Sequence, residues 1–456
     1  MDTEHWTGQG RYFLETGSGF DLTATAYVNR FKRNWYKLDR GAGTGTACRP
    51  AGPETYADEM AISRGDRASV GADLAVKANN RRYWAYGLEA TAGLALDQGS
   101  LQHELVIGAR VHADEEDRYQ WTDTYRMVNA TMSRVSAGTP GASGGGDNRV
   151  NSAKALALYA TDEIDTGRWM ISPGLRFEHI DFQRDQYGKN DPDRLGDPTV
   201  SENSVDVLLP GLGVSYELSP EAVGFAGVHR GFAPPGPGAN DSTEAETSIN
   251  TELGVRVNRS GVQAEVTGFW VAYENLLGKD TLVSGGQGEG NVFNGGKARV
   301  LGLEASATWD PARRTHGWAV PLSVTYTFTQ GTFQSSFESD YEPWGMVSDG
   351  DRFPYLPEHV LTLGATVVHD RWRLGASGNY LSAARTVAGQ APLSEVEHTD
   401  SRFLLDVTGE VQALGRARVF ASLSNALGTE YIAALRPAGA RPGIPRTFMA
   451  GIKVGL

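Results

Sequence analysis

The stretch Phe448-Met449-Ala450-Gly451-Ile452-Lys453-Val454-Gly455-Leu456 closes the chain with a strict alternation of side chains. Counting from Phe448, every second residue is apolar, and the residues between are Met, Gly, Lys and Gly. A period of two predicts a β-strand with one apolar face. The other face carries Lys453, which suits a watery interior better than a packed core. The pattern is therefore typical of a strand in a membrane β-barrel, with lipid outside and water inside.

The same unit recurs upstream as a strand, a very short turn, a second strand and a long polar loop. Leu253, Val255 and Val257, for example, alternate with polar residues and glycine before a turn at 259–261. The segment Asp39 to Asn80 lacks sustained alternation and is predicted to be a long loop. The alternation predicts about 17 strands. The first eight of them are Gly8–Thr16, Phe20–Leu38, Arg81–Leu96, Leu101–Arg118, Ser152–Ile164, Trp169–Phe182, Ser204–Leu218 and Ala222–Arg230.

Composition narrows the fold and function classes. No shift in composition, linker or charge block divides the 456 residues, so we expect one domain. A helix that spans a membrane needs about 18 to 20 apolar residues, and no apolar run in the sequence comes close to this length. The net charge of −13 and the lack of a basic run argue against nucleic-acid binding. A single cysteine, Cys48, excludes an internal disulfide framework and a multi-cysteine metal site.

The predicted fold class is all-β, a transmembrane antiparallel β-barrel with short turns at one end and long loops at the other. A soluble propeller or a stack of sandwiches would need repeats of fixed length and apolar interiors, and neither is visible. The N-terminal residues Met1 to Trp6 have no basic region followed by an apolar one, so they do not form a signal peptide. Because an outer-membrane protein needs one, we expect that this chain lacks its true beginning.

A family resemblance comes from short motifs spread in order from about residue 10 to the end. The motifs are Tyr159 with Asp162, Gly167-Arg168-Trp169, Pro173 to Glu178, Val228 to Pro235, Glu246-Thr247 before Glu252-Leu253-Gly254, Tyr273 to Leu276, Asn294 to Ala298 before Gly302-Leu303-Glu304, Asn425-Ala426-Leu427, Glu430-Tyr431, Arg436-Pro437, Gly439, Arg441-Pro442-Gly443, Pro445-Arg446-Thr447 and Gly451. Together they resemble the barrel of TonB-dependent outer-membrane receptors, and Arg110 to Arg126 looks most like the ferric-citrate type.

The resemblance implies import of a ferric siderophore or ferric-citrate-type chelate across the bacterial outer membrane. The chelate is the cargo, outer-membrane lipid surrounds the barrel, and no cofactor is implied. Members have a plug and a TonB box before a barrel of 22 strands, so residues 1–456 would be a partial barrel domain with about 17 of them. Coupling to TonB would then require the missing N-terminal part. A passive porin-like channel, a non-functional receptor fragment and a surface adhesin remain as alternatives.

Catalytic and metal sites are not predicted, because no nucleophile, base and orienting group occur together and no enzyme is expected. The substrate-binding candidates lie at external strand ends: Arg118, Tyr119, Gln120 and Trp121, and His229 with Arg230.

The first four candidates could grip an anionic chelate through charge-assisted hydrogen bonds and stacking, or form an aromatic girdle with charges toward lipopolysaccharide. His229 and Arg230 could face the ligand or be solvated at the rim. The acidic run Asp114 to Asp117 is interpreted as solvated loop charge rather than a calcium site.

Overall fold

The structure is a computed structural model in which strands account for nearly all regular structure. Among the residues it describes, no helix is both long enough and apolar enough to cross a membrane. The described residues are 2–40, 61–62, 65–69, 73–142, 148–188, 190–239, 244–279, 292–312, 317–339, 341, 343–393, 397–413, 415–435 and 440–454.

Twenty-seven strands follow one another in the described part of the chain. The first twelve are β1 (Asp2–Glu15), β2 (Phe20–Arg40), β3 (Leu74–Gln98), β4 (Leu101–Tyr119), β5 (Trp121–Val128), β6 (Thr131–Ser136), β7 (Asn148–Asp165), β8 (Trp169–Gln186), β9 (Thr199–Ser219), β10 (Ala222–Ala233), β11 (Glu246–Arg259) and β12 (Val262–Glu274). The others are β13 (Leu277–Lys279), β14 (Val292–Asn294), β15 (Ala298–Trp309), β16 (Leu322–Phe333), β17 (Phe337–Ser339), β18 (Gly345–Val347), β19 (His359–His369), β20 (Trp372–Leu381), β21 (Ala384–Arg385), β22 (His398–Thr399), β23 (Arg402–Gln412), β24 (Ala417–Ser424), β25 (Ile432–Ala434), β26 (Arg441–Pro442) and β27 (Thr447–Val454).

One large antiparallel sheet contains nineteen of these strands. Seventeen form a simple meander, in which each pairs with the next in the order β1, β2, β3, β4, β7, β8, β9, β10, β11, β12, β15, β16, β19, β20, β23, β24 and β27. β5 and β6 extend the sheet beside the start of β3. Within the described residues, β1 pairs only with β2 and β27 only with β24. The predicted number of barrel strands is confirmed.

The two ends of the meander differ in their connections. At the short-turn end, hairpins such as those at 99–100 and 260–261 have glycines with φ of 66° at Gly99 and 80° at Gly261. Glycine adopts such backbone angles without the clash that a Cβ causes. At the long-loop end, the strands run past their predicted limits. The predicted loop Asp39 to Asn80 was wrong at its C-terminal side, because β3 begins at Leu74. The remainder of that loop lies largely outside the described residues.

Each strand separates an apolar face from a polar face, as the alternation predicts. On the apolar face, Leu88, Val111 and Leu156 are direct partners across β3, β4 and β7, with 50%, 51% and 37% of their surface exposed. In the next row, Glu89 and Arg110 occupy the polar face. Large apolar side chains in exposed rows indicate a sheet whose outer medium is apolar.

The polar face also holds aromatic rings that lie over glycines on neighbouring strands. In each case the ring and the glycine are direct cross-strand partners, and a Cβ on the glycine would overlap the ring. A ring in this position covers backbone that glycine leaves bare, which stabilises the strand pair. The pairs are Tyr27 with Gly87, Tyr159 with Gly108, Phe225 with Gly254, Phe269 with Gly302, and Phe420 with Gly451.

Tryptophans mark the short-turn end of the apolar face. Trp169 opens β8, Trp309 ends β15 and Trp372 opens β20, and all three are at least one-third exposed. Trp318 packs edge-to-face on Trp372, with 5.5 Å between ring centroids. Tryptophan prefers the boundary between an apolar phase and water, so these residues mark that boundary.

The long-loop end carries a small aromatic core of its own, built around Phe333. Its ring is fully buried and lies 4.7 Å from Phe353, 5.4 Å from Phe337 and 5.5 Å from Trp344. Tyr341 completes the group at 5.3 Å from Trp344. This core packs the hairpin of β17 and β18 against the end of β16.

Candidate functional site

A row of four arginines crosses the polar face near the long-loop end. Arg33, Arg81, Arg118 and Arg149 are successive cross-strand partners on β2, β3, β4 and β7. Directly opposed residues on an antiparallel pair project from the same face about 5 Å apart. We call these four residues the arginine row.

The register that aligns the row starts at a tight turn. The hairpin at Gly99 and Ser100 pairs Gln98 with Leu101, and the pairing continues without a shift to Arg81 and Arg118. Strands need about 9 to 11 residues to cross a membrane. Arg118 is the eighteenth residue of a 19-residue strand, so the row lies beyond that length.

A second row on the same face, two residue pairs closer to the short-turn end, supplies a carboxylate and a fifth arginine. It contains Tyr83, Glu116, Asn151 and Arg184. Glu116 accepts hydrogen bonds from Arg81 Nη1 at 2.8 Å and from Asn151 Nδ2 at 3.0 Å. Arg184 Nε donates to Asn151 Oδ1 at 2.8 Å. These hydrogen bonds join Arg81, Glu116, Asn151 and Arg184, and Arg118 and Arg149 lie beside them in the first row. We call the two rows together the arginine network.

Positive charge is in excess in this network. Among the residues that the structure describes, the two rows bring five guanidinium groups and one carboxylate together, which gives a formal charge of +4. Two of the arginines are almost fully buried, with Arg118 at 4% and Arg149 at 5% exposure. Like charges on direct partners repel each other, and burial strengthens the repulsion. An anion bound beside the row would relieve it.

Guanidinium groups suit the recognition of carboxylates and phosphates, because their planar N–H donors form paired hydrogen bonds with two oxygens. The chemistry of the network is therefore anion binding. In the part of the chain that the structure describes, no three His, Cys, Asp or Glu side chains are grouped as they would be around a metal ion.

The four candidates from Arg118 to Trp121 do not form one group. Arg118 and the fully buried Gln120 lie on the polar face, where Gln120 Nε2 donates to Asn79 Oδ1 at 3.3 Å. Tyr119 and Trp121, at the alternate positions, lie on the opposite face. Tyr119 there stacks with Arg194, whose guanidinium carbon lies 4.9 Å from the ring centroid. A combined grip by Arg118 and its neighbouring aromatic rings is thus not formed.

His229 and Arg230 are likewise divided between the two faces of β10. His229 shares the polar face with its partner Gly211 and is exposed. Arg230 shares the apolar face with its partner Ile249 and donates to the Leu208 carbonyl at 3.3 Å. A role for either residue in ligand binding stays a prediction.

The interpretation of Asp114 to Asp117 as loop charge was wrong for all four residues, because they belong to β4. Two of them are also not simply solvated, and the first is Glu116, which is hydrogen-bonded within the arginine network. Asp117, on the other face, forms a 2.7 Å ion pair with Arg194. The cause is the length of β4, which carries the acidic run past the membrane-crossing part.

Sequence reasoning missed Arg33, Arg81, Arg149 and Arg184. Arg81 could have been found, because the predicted turn before Leu101 implies its pairing with Arg118. Arg149 could not, because the long connection between β4 and β7, which contains β5 and β6, leaves their register open.

Comparisons with known proteins agree with this architecture. The family model described as "TonB dependent receptor-like, beta-barrel" matches residues 1–426. The pesticin receptor of Yersinia enterocolitica is 28% identical over 216 residues, which cover 45% of this chain and 29% of that protein. The ferrienterobactin receptor of Escherichia coli K12 is 28% identical over 222 residues, covering 46% of this chain and 27% of the receptor.

Solved structures share the fold over the whole chain. The unliganded ferric citrate transporter FecA superposes with a TM-score of 0.71 at 19% identity, over 99% of this chain and 61% of that one. The siderophore receptor PiuA from Acinetobacter baumannii gives a TM-score of 0.73 at 13% identity, over 99% and 64%. The chain thus spans less than two thirds of each of these proteins. Since the family match runs from residue 1 to residue 426, this chain belongs to the TonB-dependent receptor β-barrel family of outer-membrane proteins.

Proposed function

We propose that this chain forms the binding mouth and lumen wall of a receptor that imports a negatively charged ferric chelate. The observation that carries the proposal is the arginine row with its excess of positive charge on the polar face. In a barrel of this family that face lines the lumen, and the row lies at the long-loop, external end. An anionic chelate entering from outside would be attracted by this positive charge.

The relatives support a chelate with carboxylate or similar acidic groups. Their names specify ferric enterobactin receptors and a ferric citrate transporter. Citrate presents carboxylates, which match the paired donors of guanidinium groups. The relatives favour a receptor over a passive channel, a non-functional fragment or an adhesin. We infer that the whole protein is a receptor rather than an enzyme and draws its energy from TonB.

We further propose that residues 1–456 form one barrel domain. Seventeen of its strands form one continuous antiparallel meander, which supports a single unit. The exposed apolar face would contact outer-membrane lipid. With a net charge of −13, the protein is not expected to bind nucleic acid.

The test is ferric citrate binding by the purified chain in detergent, measured by calorimetry. Replacing both Arg118 and Arg149 by methionine keeps the bulk and removes two charges. Each charged hydrogen bond contributes about 1.5–3 kcal/mol, so affinity should fall at least about a hundredfold.

Arg256→Met is the matched control, because Arg256 pairs with Glu265 at 2.6 Å near the short-turn end of the polar face. It should bind as the wild type does. Equal loss in the control and the double variant, or no binding by the wild type, would contradict the proposal. Uptake of labelled iron by cells with and without TonB tests the transport step in the whole protein.

A further inference from the structure

A cavity of about 270 Å³ lies at the long-loop end, far along the sheet from the arginine row. Three segments enclose it: the end of β16 at 329–331, the stretch 352–358, and the loop 383–393. The arginine row belongs to β2, β3, β4 and β7, so the two sites share no strand. Ligand pockets for drug-sized molecules measure about 300–1,000 Å³, so this cavity suits a smaller molecule.

Backbone hydrogen bonds hold the three segments together. Phe353 N donates to Gly331 O at 3.1 Å, Arg352 N to Gly389 O at 3.1 Å, and Tyr355 N to Arg385 O at 2.7 Å. Gly331 permits the close approach, since a Cβ there would lie only 2.6 Å from the Phe353 ring. The cavity is therefore preformed by its own backbone.

Three charged side chains line the cavity. Arg352 and Glu358 neutralise each other in a 2.5 Å ion pair. Arg385 donates to the Ala391 carbonyl at 2.9 Å, and in the described residues it forms no ion pair. Burial, followed by the nearby Arg352, lowers the pKa of Arg385, while Asp351 and Glu358 act in the opposite direction. One cation in the lining is thus left without a carboxylate.

The rest of the lining is partly apolar and partly polar but uncharged, the polar part coming from Thr329, Gln330 and Gln390. Phe353, Leu356, Pro392 and Leu393 border the same space as Arg385. A guanidinium group beside apolar walls favours a molecule with one acidic group and an apolar body.

We propose that this cavity is a binding site for a small organic monoanion, whose carboxylate pairs with Arg385 and whose apolar body contacts Phe353 and Leu356. The site is additional to the chelate site and does not depend on it. Because its walls come from two loops and one strand, a bound anion links those loops to the sheet.

The probe is benzoate, compared with the uncharged benzyl alcohol, and binding to the full chain is followed by ligand-observed NMR. Benzoate should bind saturably at millimolar concentrations and benzyl alcohol at least about tenfold more weakly, as expected when a charged hydrogen bond is lost. Arg385→Met should weaken benzoate binding by a similar factor, whereas Arg385→Lys should retain part of it. Glu358→Gln should strengthen binding, because it releases Arg352 from its ion pair.

Arg371→Met is the matched control, since Arg371 lies in the turn between β19 and β20 at the opposite end of the sheet. It removes the same charge and should leave benzoate binding unchanged. Circular dichroism of every variant shows whether the sheet is intact. The proposal is overturned if benzoate does not saturate, if benzyl alcohol binds equally well, or if folded Arg385→Met binds as the control does.

Discussion

Arg118 and Arg149 are direct cross-strand partners on β4 and β7, and no more than 5% of the surface of either residue is exposed. Two like charges in this arrangement oppose folding, so other groups must compensate for them. Among the described residues, Glu116, in the next row on this face, supplies the carboxylate of the network. The network therefore holds positive charge in place at some cost in stability, which is what an anion-binding surface requires.

Replacing Glu116 by glutamine should change stability and anion binding in opposite directions. Arg81 and Asn151 lose a charged acceptor, and leaving such groups poorly satisfied costs about 1–3 kcal/mol. The removal of the negative charge should at the same time raise ferric citrate affinity several-fold. Hydrogen exchange at the long-loop ends of β4 and β7 measures the first effect, and calorimetry the second.

Glu265→Gln is the control for this experiment, because Glu265 also pairs with an arginine on the polar face, but near the short-turn end. It should leave citrate affinity unchanged. A decrease in affinity for Glu116→Gln would mean that the carboxylate itself helps to hold the ligand.

Glycine at position 108 should be required for the stability of the sheet. A Cβ there overlaps the Tyr159 ring, which must move and give up its 2.9 Å hydrogen bond to Glu89. Overpacking of this kind costs about 1–3 kcal/mol. Urea unfolding of Gly108→Ala in lipid should show the loss, whereas Gly10→Ala, with no atom within 4 Å of its Cβ, should unfold like the wild type. Equal midpoints for both variants would exclude a structural role for the ring over Gly108.

Much of this fold could be predicted from the sequence, because alternation and turns are local signals. The strand 447–454 is predicted by its apolar residues, which recur at every second position. The turn at Gly99 sets the register of β3 and β4. The candidate site could be predicted from the sequence only in part. Arg118 stands out at a strand end, but its partnership with Arg149 depends on a pairing across a long loop. The packing of Phe333 with Trp344 depends likewise on contacts between distant segments, which periodicity does not encode.

Acid should release the start of β3 from β5. Arg126 Nε and Nη2 each donate to the Asp73 carboxylate at 2.8 Å, and this hydrogen bonding lowers the pKa of Asp73. Because the pKa of Asp73 is lower in the folded state, the contact stabilises the fold at pH values above the unfolded-state pKa of about 4. This stabilisation is lost as the pH falls through the folded-state pKa. Protease cleavage between residues 121 and 136 should therefore increase below about pH 4.

Asp73→Asn should remove that pH dependence, because the amide does not titrate. Asp370→Asn, in a turn at the other end of the sheet, should leave it unchanged. Cleavage is measured with an acid-stable protease. The same pH profile for the wild type and Asp73→Asn would contradict the prediction, because another group would then control the release.

Trp344 should hold the external hairpin of β17 and β18 without contributing to the sheet. Its ring contacts Phe333, Phe337 and Tyr341 at centroid distances of 5.3 to 5.7 Å. Truncating a packed Trp to Ala costs about 3–5 kcal/mol, which is enough to open a small loop core. Protease should then cleave Trp344→Ala between 337 and 353, while urea unfolding of the sheet stays near the wild-type midpoint. Met346→Ala, in the same hairpin but 80% exposed, should remain uncut because it loses almost no packing. Equal cleavage of both variants would mean that the hairpin opens whether or not Trp344 is present. A lower urea midpoint for Trp344→Ala would mean that the aromatic core unfolds together with the sheet.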